Sequence, residues 1–254
     1  MPDTFSGQHL GQFRRDGFVI LRQLAPDELR QAIVAVSQDH IRLQIPPIEY
    51  EADLRYPGAP ASRDQPGGST TRRLLNAYAR APVFADWAGS PAITEPLHQL
   101  LGSDVRLSQV HHNCVMTKQP SYSSITGWHQ DIRFWAFDRP DLISVWLALG
   151  REVADNGCLS FLPGTHAMAI DRERLDDALF LREDMPENRA VVATLVTPTL
   201  EPGDVVFFHA RTFHSAGRNM TQQAKLSLVF TYHAEDNYPV AHTRSASQPS
   251  IAVR

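Results

Sequence analysis

The sequence predicts a mainly β (α+β) chain: an antiparallel double-sheet barrel, a jelly roll, with N-terminal and flanking helices. Three observations predict it. Downstream of Gly102 the chain breaks into short runs rich in Val, Ile, Leu and aromatics, at 105–116, 125–131, 142–149, 158–162, 195–198, 205–209 and 226–232. Turn signals separate the runs, among them Asp155-Asn156-Gly157, Pro163-Gly164 and Pro202-Gly203-Asp204. No helical pattern alternates with them, which argues against a parallel α/β sheet. We therefore expect one domain over 1–254: a helical part to about 102, a barrel core over about 103–235, and a loose tail from about Ser245.

Within the helical part, residues 8–16 read as a short helix ended by Gly17, a residue favoured just past a helix C-terminus. Phe18-Val19-Ile20-Leu21 reads as a buried strand. Pro26-Asp27-Glu28 opens a second helix, since proline suits the first helical position and acids suit the N-terminal dipole. Leu29, Ile33, Val36 and His40 follow at helical spacing, and Pro46-Pro47 stops it. Residues 46–71 hold Pro46, Pro47, Pro57, Pro60, Pro66, Gly58, Gly67 and Gly68 and read as a long surface loop. Ser90-Pro91 caps a helix running to Leu101, with Pro96 a source of kinking. Residues 167–189 are polar and read as an insertion between two strands.

Composition narrows the function classes. Hydrophobic content of 43% and charged content of 20% are those of a globular protein. A net charge of -4 leaves no basic footprint for nucleic acid. Cys114 and Cys158 are too few for a disulfide framework or a multi-cysteine cluster. No apolar run suggests a membrane span, and residues 1–15 do not read as a signal peptide, so a cytoplasmic location is expected.

The chemistry is carried by Gly127-Trp128-His129-Gln130-Asp131-Ile132-Arg133-Phe134-Trp135. In extended chain, alternation puts His129 and Asp131 on one face and Gln130 on the other. One imidazole and one carboxylate are two thirds of the two-histidine, one-carboxylate facial triad of non-haem iron. A His-X-Asp pair is common by chance, so the third ligand decides. His209 and His214 both follow the Pro202-Gly203-Asp204 turn. Spacing favours His214 modestly, because Ser215-Ala216-Gly217 leaves room beside it. His111, His112 and His166 are weaker candidates.

These segments together resemble the phytanoyl-CoA dioxygenase family of Fe(II)- and 2-oxoglutarate-dependent oxygenases. The shared pieces run in order along nearly the whole chain: Asp16-Gly17-Phe18-Val19-Ile20-Leu21, Pro26-Asp27-Glu28-Leu29, Lys118-Gln119-Pro120, Trp128-His129-Gln130-Asp131, Trp146-Leu147-Ala148-Leu149, Asn156-Gly157-Cys158-Leu159, Pro163-Gly164-Thr165-His166, Gly203-Asp204-Val205-Val206-Phe207-Phe208-His209 and His214-Ser215-Ala216-Gly217-Arg218-Asn219. The resemblance implies a double-stranded β-helix (cupin-like jelly roll), with His214 as the distal ligand beside His129 and Asp131. It also implies Fe(II), 2-oxoglutarate and O2 as cofactor and co-substrates.

The family places a basic residue, commonly arginine, eleven positions after the distal histidine to hold the far carboxylate of 2-oxoglutarate. Lys225 stands there, with Ser227 on the same strand face. Lysine is a departure, a point charge where arginine offers a planar fork. Arg218 is an alternative clamp. Similarity further implies Trp146, Cys114 and Arg73 at the co-substrate, whereas Lys118 reads as structural. Arg133, Phe134 and Trp135 are expected at the mouth, toward a small organic substrate that the sequence does not identify. Retention of Asp131, which related halogenases replace, points to hydroxylation of a C–H bond with release of succinate and CO2. The alternatives are a cupin-like metal-dependent dioxygenase or isomerase that uses no 2-oxo acid, and a non-catalytic 2-oxoglutarate sensor.

Overall fold

The computed structural model describes residues 5–253 other than 55, 57 and 103; Pro57, counted in the loop above, and residues 1–4 lie outside the described residues. Along the chain come α1 (Gly7–Asp16), β1 (Phe18–Leu21), α2 (Asp27–Arg42), β2 (Ile48–Tyr50), β3 (Thr71–Leu75), α3 (Pro82–Ala88) and α4 (Pro91–Leu101). The barrel follows: β4 (Val105–Leu107), β5 (Asn113–Lys118), β6 (Thr126–His129), β7 (Leu142–Ala148), β8 (Leu159–Phe161), α5 (Pro186–Val192), β9 (Val205–His209), β10 (His214–Ala216), β11 (Lys225–Ala234) and β12 (Ile251–Ala252). All strand pairs are antiparallel. The major sheet runs β1-β9-β7-β11-β5-β3-β2, with β4 on β11 and β12 on β4, and the minor sheet runs β6-β10-β8. No helix among the described residues is long and apolar enough to cross a membrane.

The major sheet is covered on both faces, which explains why β7 is buried at every position. Val145 and Leu147 of β7, Phe207 of β9 and Leu228 and Phe230 of β11 pack under the helices against Ile33, Phe84, Trp87 and Leu97. Their alternates Trp146, Val206, Phe208 and Val229 face the minor sheet, against Leu159 and Phe161. Each such side chain taken out of water contributes about 1.5–3 kcal/mol. This second face is the one that holds the site.

Gly17 ends α1 as expected, with φ 81° and its N–H bonded to the Phe13 carbonyl. A Cβ there would also stand 2.5 Å from Nδ1 of His166 and Oγ1 of Thr212, so the position admits only glycine for two reasons. Pro26 lies one residue before α2 rather than inside it, and the Ser90 hydroxyl of α4 caps nothing. Helix α3 was not anticipated.

Four expectations about the strands and loops change. The run 105–116 is two strands, because the chain turns out of the sheet at His111, where φ is +68°. Residues 195–198 form no strand beyond a bridge from Val196 to Phe161. The proline-rich stretch 46–71 is part sheet: β2 pairs with β3, and Glu51 beyond it is fully buried. The tail is tied down, since β12 adds to β4 and the Ser245 hydroxyl accepts from the Ala136 N–H. A sheet edge with unpaired backbone groups is a template for such a strand.

At the Pro202-Gly203-Asp204 turn, the Asp204 carboxylate accepts from the N–H groups of Glu201 and Gln23 and from Arg22 at 2.6 Å. Burial works against its charge, but these donors hold its carboxyl below the ordinary range. The stability Asp204 contributes is therefore present above the unfolded value, about 3.9, and lost as pH falls through the lower folded value. Asp204→Asn is expected to cost about 1–2 kcal/mol at pH 7 and to flatten the acid limb below about pH 4. Urea denaturation at pH 7 and pH 3 checks this; an equal difference at both pH values would refute it.

Candidate metal centre

β6 and β10 are neighbours, and their register sets His129 directly opposite His214. Side chains so paired start about 5 Å apart, and the two ring centroids are 4.3 Å apart. Asp131 is not on the strand: β6 ends at His129, and Asp131 opens a turn of 3-10 helix. Gln130 nevertheless stays extended, φ -105° and ψ 133°, so the alternation carries through one residue past the ladder. The residues 167–189 also contribute, because Phe180 bridges the free edge of His129 and sets its ring 5.7 Å from the imidazole.

The ligand atoms of His129, Asp131 and His214 all lie within 4.8 Å of one another, and all three residues are buried. Nδ1 of His129 faces the Gly127 carbonyl at 2.9 Å, and Nδ1 of His214 faces the Thr212 carbonyl at 3.0 Å. Each carbonyl fixes a proton on Nδ1 and turns the Nε2 lone pair inward. Nε2 of His129 and of His214 stand 3.5 and 3.4 Å from Oδ1 of Asp131. Both Asp131 oxygens are buried without a hydrogen-bond donor. Lone pairs of three ligands meeting in a dry space require a cation, so this donor set fits a divalent metal.

The electrostatics agree. Burial, and after it the neighbouring His214, pulls His129 down to about 4, leaving it neutral. Burial works against charge on Asp131 and His214 as well. Even so, His112 and His214 hold the Asp131 carboxyl well below its usual range, and Asp131 raises His214. His112, which alternation ranked low, is the third imidazole: its Nδ1 lies 3.2 Å from Oδ2 of Asp131. His209 lies elsewhere, accepting from the Arg211 N–H and facing Asp141 at 3.5 Å.

Two cavities meet at this cluster, sharing Arg73 and His112 in their walls. One contains His129, His214, Trp146, Met116, Lys118 and Lys225. Lys225 and Ser227 do share a face, but both point at Glu152. Its carboxylate takes Lys225 Nζ at 3.0 Å, Ser227 Oγ at 2.6 Å and the Trp146 indole N–H at 3.0 Å. Cys114 is fully buried below that cavity, its thiol toward the sulfur of Met116, and Met116 forms the wall. Burial pushes the Cys114 thiol up to about 12. The other cavity, about 300 Å³, is lined by Glu49, Tyr56, Arg73, His111, Phe134 and Arg244. Arg73 is ion-paired with Glu49 at 3.2 Å.

Of the three residues expected at the mouth, only Phe134 lines this cavity. The Arg133 guanidinium lies between the rings of Phe134 and Phe180, at 4.8 and 4.2 Å. Trp135 is buried in a small core with Leu142 and Ala210, its indole donating to the Val110 carbonyl. The turn from Asp131 to Phe134 breaks the strand and swings Trp135 inward. Sequence reasoning missed Glu152, Arg72 and Arg244. No local signal marks them: Glu152 directly follows Arg151, and Arg72 sits beside Arg73.

A family model described as phytanoyl-CoA dioxygenase matches residues 13–227. The ectoine dioxygenase of Bordetella bronchiseptica is 24% identical, over 92% of this chain and 77% of its own length. Among solved structures, SnoN, the non-haem alpha ketoglutarate dependent epimerase from nogalamycin biosynthesis, is 25% identical with a TM-score of 0.72, covering 93% of this chain and 86% of its own. EctD from S. alaskensis with bound Fe superposes with a TM-score of 0.78 at 18% identity, over 100% of this chain and 89% of its own.

Proposed function

The chain belongs to the phytanoyl-CoA dioxygenase family and is a dioxygenase that uses iron and 2-oxoglutarate, and from that premise we propose that it hydroxylates a C–H bond of a small organic molecule, releasing succinate and CO2. The observation that carries this is the cluster of His129, Asp131 and His214, whose ligand atoms converge in a buried space where neither Asp131 oxygen has a hydrogen-bond donor. These three residues would hold Fe(II). Bound there, iron supplies activation of O2 coupled to decarboxylation of the 2-oxo acid.

The protein's own residues do the rest. The Gly127 and Thr212 carbonyls orient the two imidazoles. Phe208, Leu159 and Trp146 make the co-substrate cavity apolar beside the metal, which excludes water and strengthens every polar contact inside. The neighbouring cavity, with Phe134 and Tyr56 as apolar walls and Arg244 at its edge, receives the substrate. Burial and then Arg244 pull His111 down to about 3, so it faces the substrate as a neutral hydrogen-bonding group.

Anaerobic titration of the Fe(II) protein with 2-oxoglutarate is expected to raise a weak visible charge-transfer band, and admitting air with a substrate should yield succinate. No band and no succinate would overturn the proposal.

A further inference from the structure

The far end of the co-substrate cavity is built from two lysines on facing strands. Lys118 of β5 and Lys225 of β11 are direct partners in the ladder, an arrangement in which like charges repel. Glu152 relieves one of them. It is fully buried, lies behind Lys225, and takes hydrogen bonds from Lys225, Ser227 and Trp146, so that ammonium is neutralised inside the protein. A co-substrate carboxylate brought to Lys225 meets the charge of Glu152 as well.

Lys118 has no such partner. Its Nζ donates only to neutral carbonyls, those of Ser124 at 2.8 Å, of Gly217, and of Ala216 at 3.5 Å, the longest of the three and the one a ligand would displace. No carboxylate lies within ion-pair reach of it among the described residues, and Arg72, the nearby guanidinium, is taken by Glu51 at 3.2 Å. Burial first, then Arg72 and Lys225, pull Lys118 down to about 7, the mark of an ammonium lacking its counter-charge. The chain makes room for it: a Cβ on Gly157 would come within 2.7 Å of Cδ of Lys118 and 2.5 Å of the Gly217 carbonyl. Two ammoniums and one carboxylate leave one positive charge uncompensated whenever Lys118 is protonated, and a bound carboxylate favours that protonated form.

Resting on the co-substrate assignment above, we propose that Lys118 binds the far carboxylate of 2-oxoglutarate, and that Glu152 sets this choice by neutralising Lys225. Lys225 with Glu152 then forms a neutral polar wall.

The test compares 2-oxoglutarate with 2-oxopentanoate, which lacks only the far carboxylate. Both are titrated anaerobically into Fe(II)-loaded protein and followed by tryptophan fluorescence. Wild type should prefer 2-oxoglutarate. Lys118→Met should weaken 2-oxoglutarate about 30-fold or more while leaving 2-oxopentanoate within about threefold, which also shows that the site is still folded. The paired change Glu152→Gln with Lys225→Met removes the neutral pair and should leave 2-oxoglutarate within about threefold. A loss in the paired variant equal to or greater than that in Lys118→Met overturns the proposal, as does retained discrimination in Lys118→Met or equal affinity of wild type for the two acids. Wild type that binds neither acid overturns the co-substrate assignment itself.

Discussion

Replacing His214 by alanine is expected to lower iron affinity more than about 100-fold and to abolish succinate formation, whereas His209→Ala should leave iron affinity within about threefold. Disturbing the hydrogen-bonded partner of a metal-binding histidine already costs 10–100-fold in typical sites, so removing the ligand itself must exceed that. His209 ends β9 and His214 opens β10 after one short turn, but their surroundings differ. His214 turns Nε2 toward Asp131 at 3.4 Å in a buried space, while His209 faces Asp141 near the surface. Because His129 and Asp131 remain in His214→Ala, weak residual metal binding will persist without turnover. Metal analysis after equilibrium dialysis, alongside succinate assay, reads both. Iron lost from His209→Ala and kept by His214→Ala would reverse the assignment.

Glu51→Ala is expected to destabilise the protein by about 3–5 kcal/mol, the cost of leaving its buried partner uncompensated. Glu51 is wholly inaccessible and Arg72 nearly so. The carboxylate faces the guanidinium at 3.2 Å and also accepts from the N–H and hydroxyl of Ser124. Burial, and then Arg73, already works against the charge on Arg72, and Ser124 and Thr126 offer it only neutral acceptors. At about 2–4 °C per kcal/mol for a chain of this size, Tm should fall by about 6–20 °C. The paired change Glu51→Leu with Arg72→Met should recover over half of the loss, since an apolar pair removes both desolvation penalties. Denaturation curves that place Glu51→Ala within about 1 kcal/mol of wild type would show that water reaches Arg72.

The sequence by itself determined what depends on local periodicity and local backbone chemistry. Alternation at His129 and Asp131 survives the end of β6 because one residue, Gln130, stays extended. Gly17 was legible as a helix stop because a left-handed residue there is a local demand. The apolar runs of β7, β9 and β11 were legible as strands, because β-rich apolar stretches between turn signals are a local pattern. In each case a few neighbouring residues contain the whole physical reason.

Only the tertiary structure decided the charges. Glu152 meets Lys225 across 73 positions, and Glu51 meets Arg72 across 21. Acidic and basic side chains are ordinarily solvated, so nothing local marks a pair as buried. The pairing arises from the barrel closing around them. The same closure swings Trp135 into the core, brings Phe180 to the edge of His129, and turns a tail expected to be loose into one wall of the cavity that Arg73 and His112 border. Local geometry put His129 and Asp131 on one side and left His214 to the family resemblance, whereas the net charge inside a cavity is a sum over distant residues, and that sum exists only once the chain is folded.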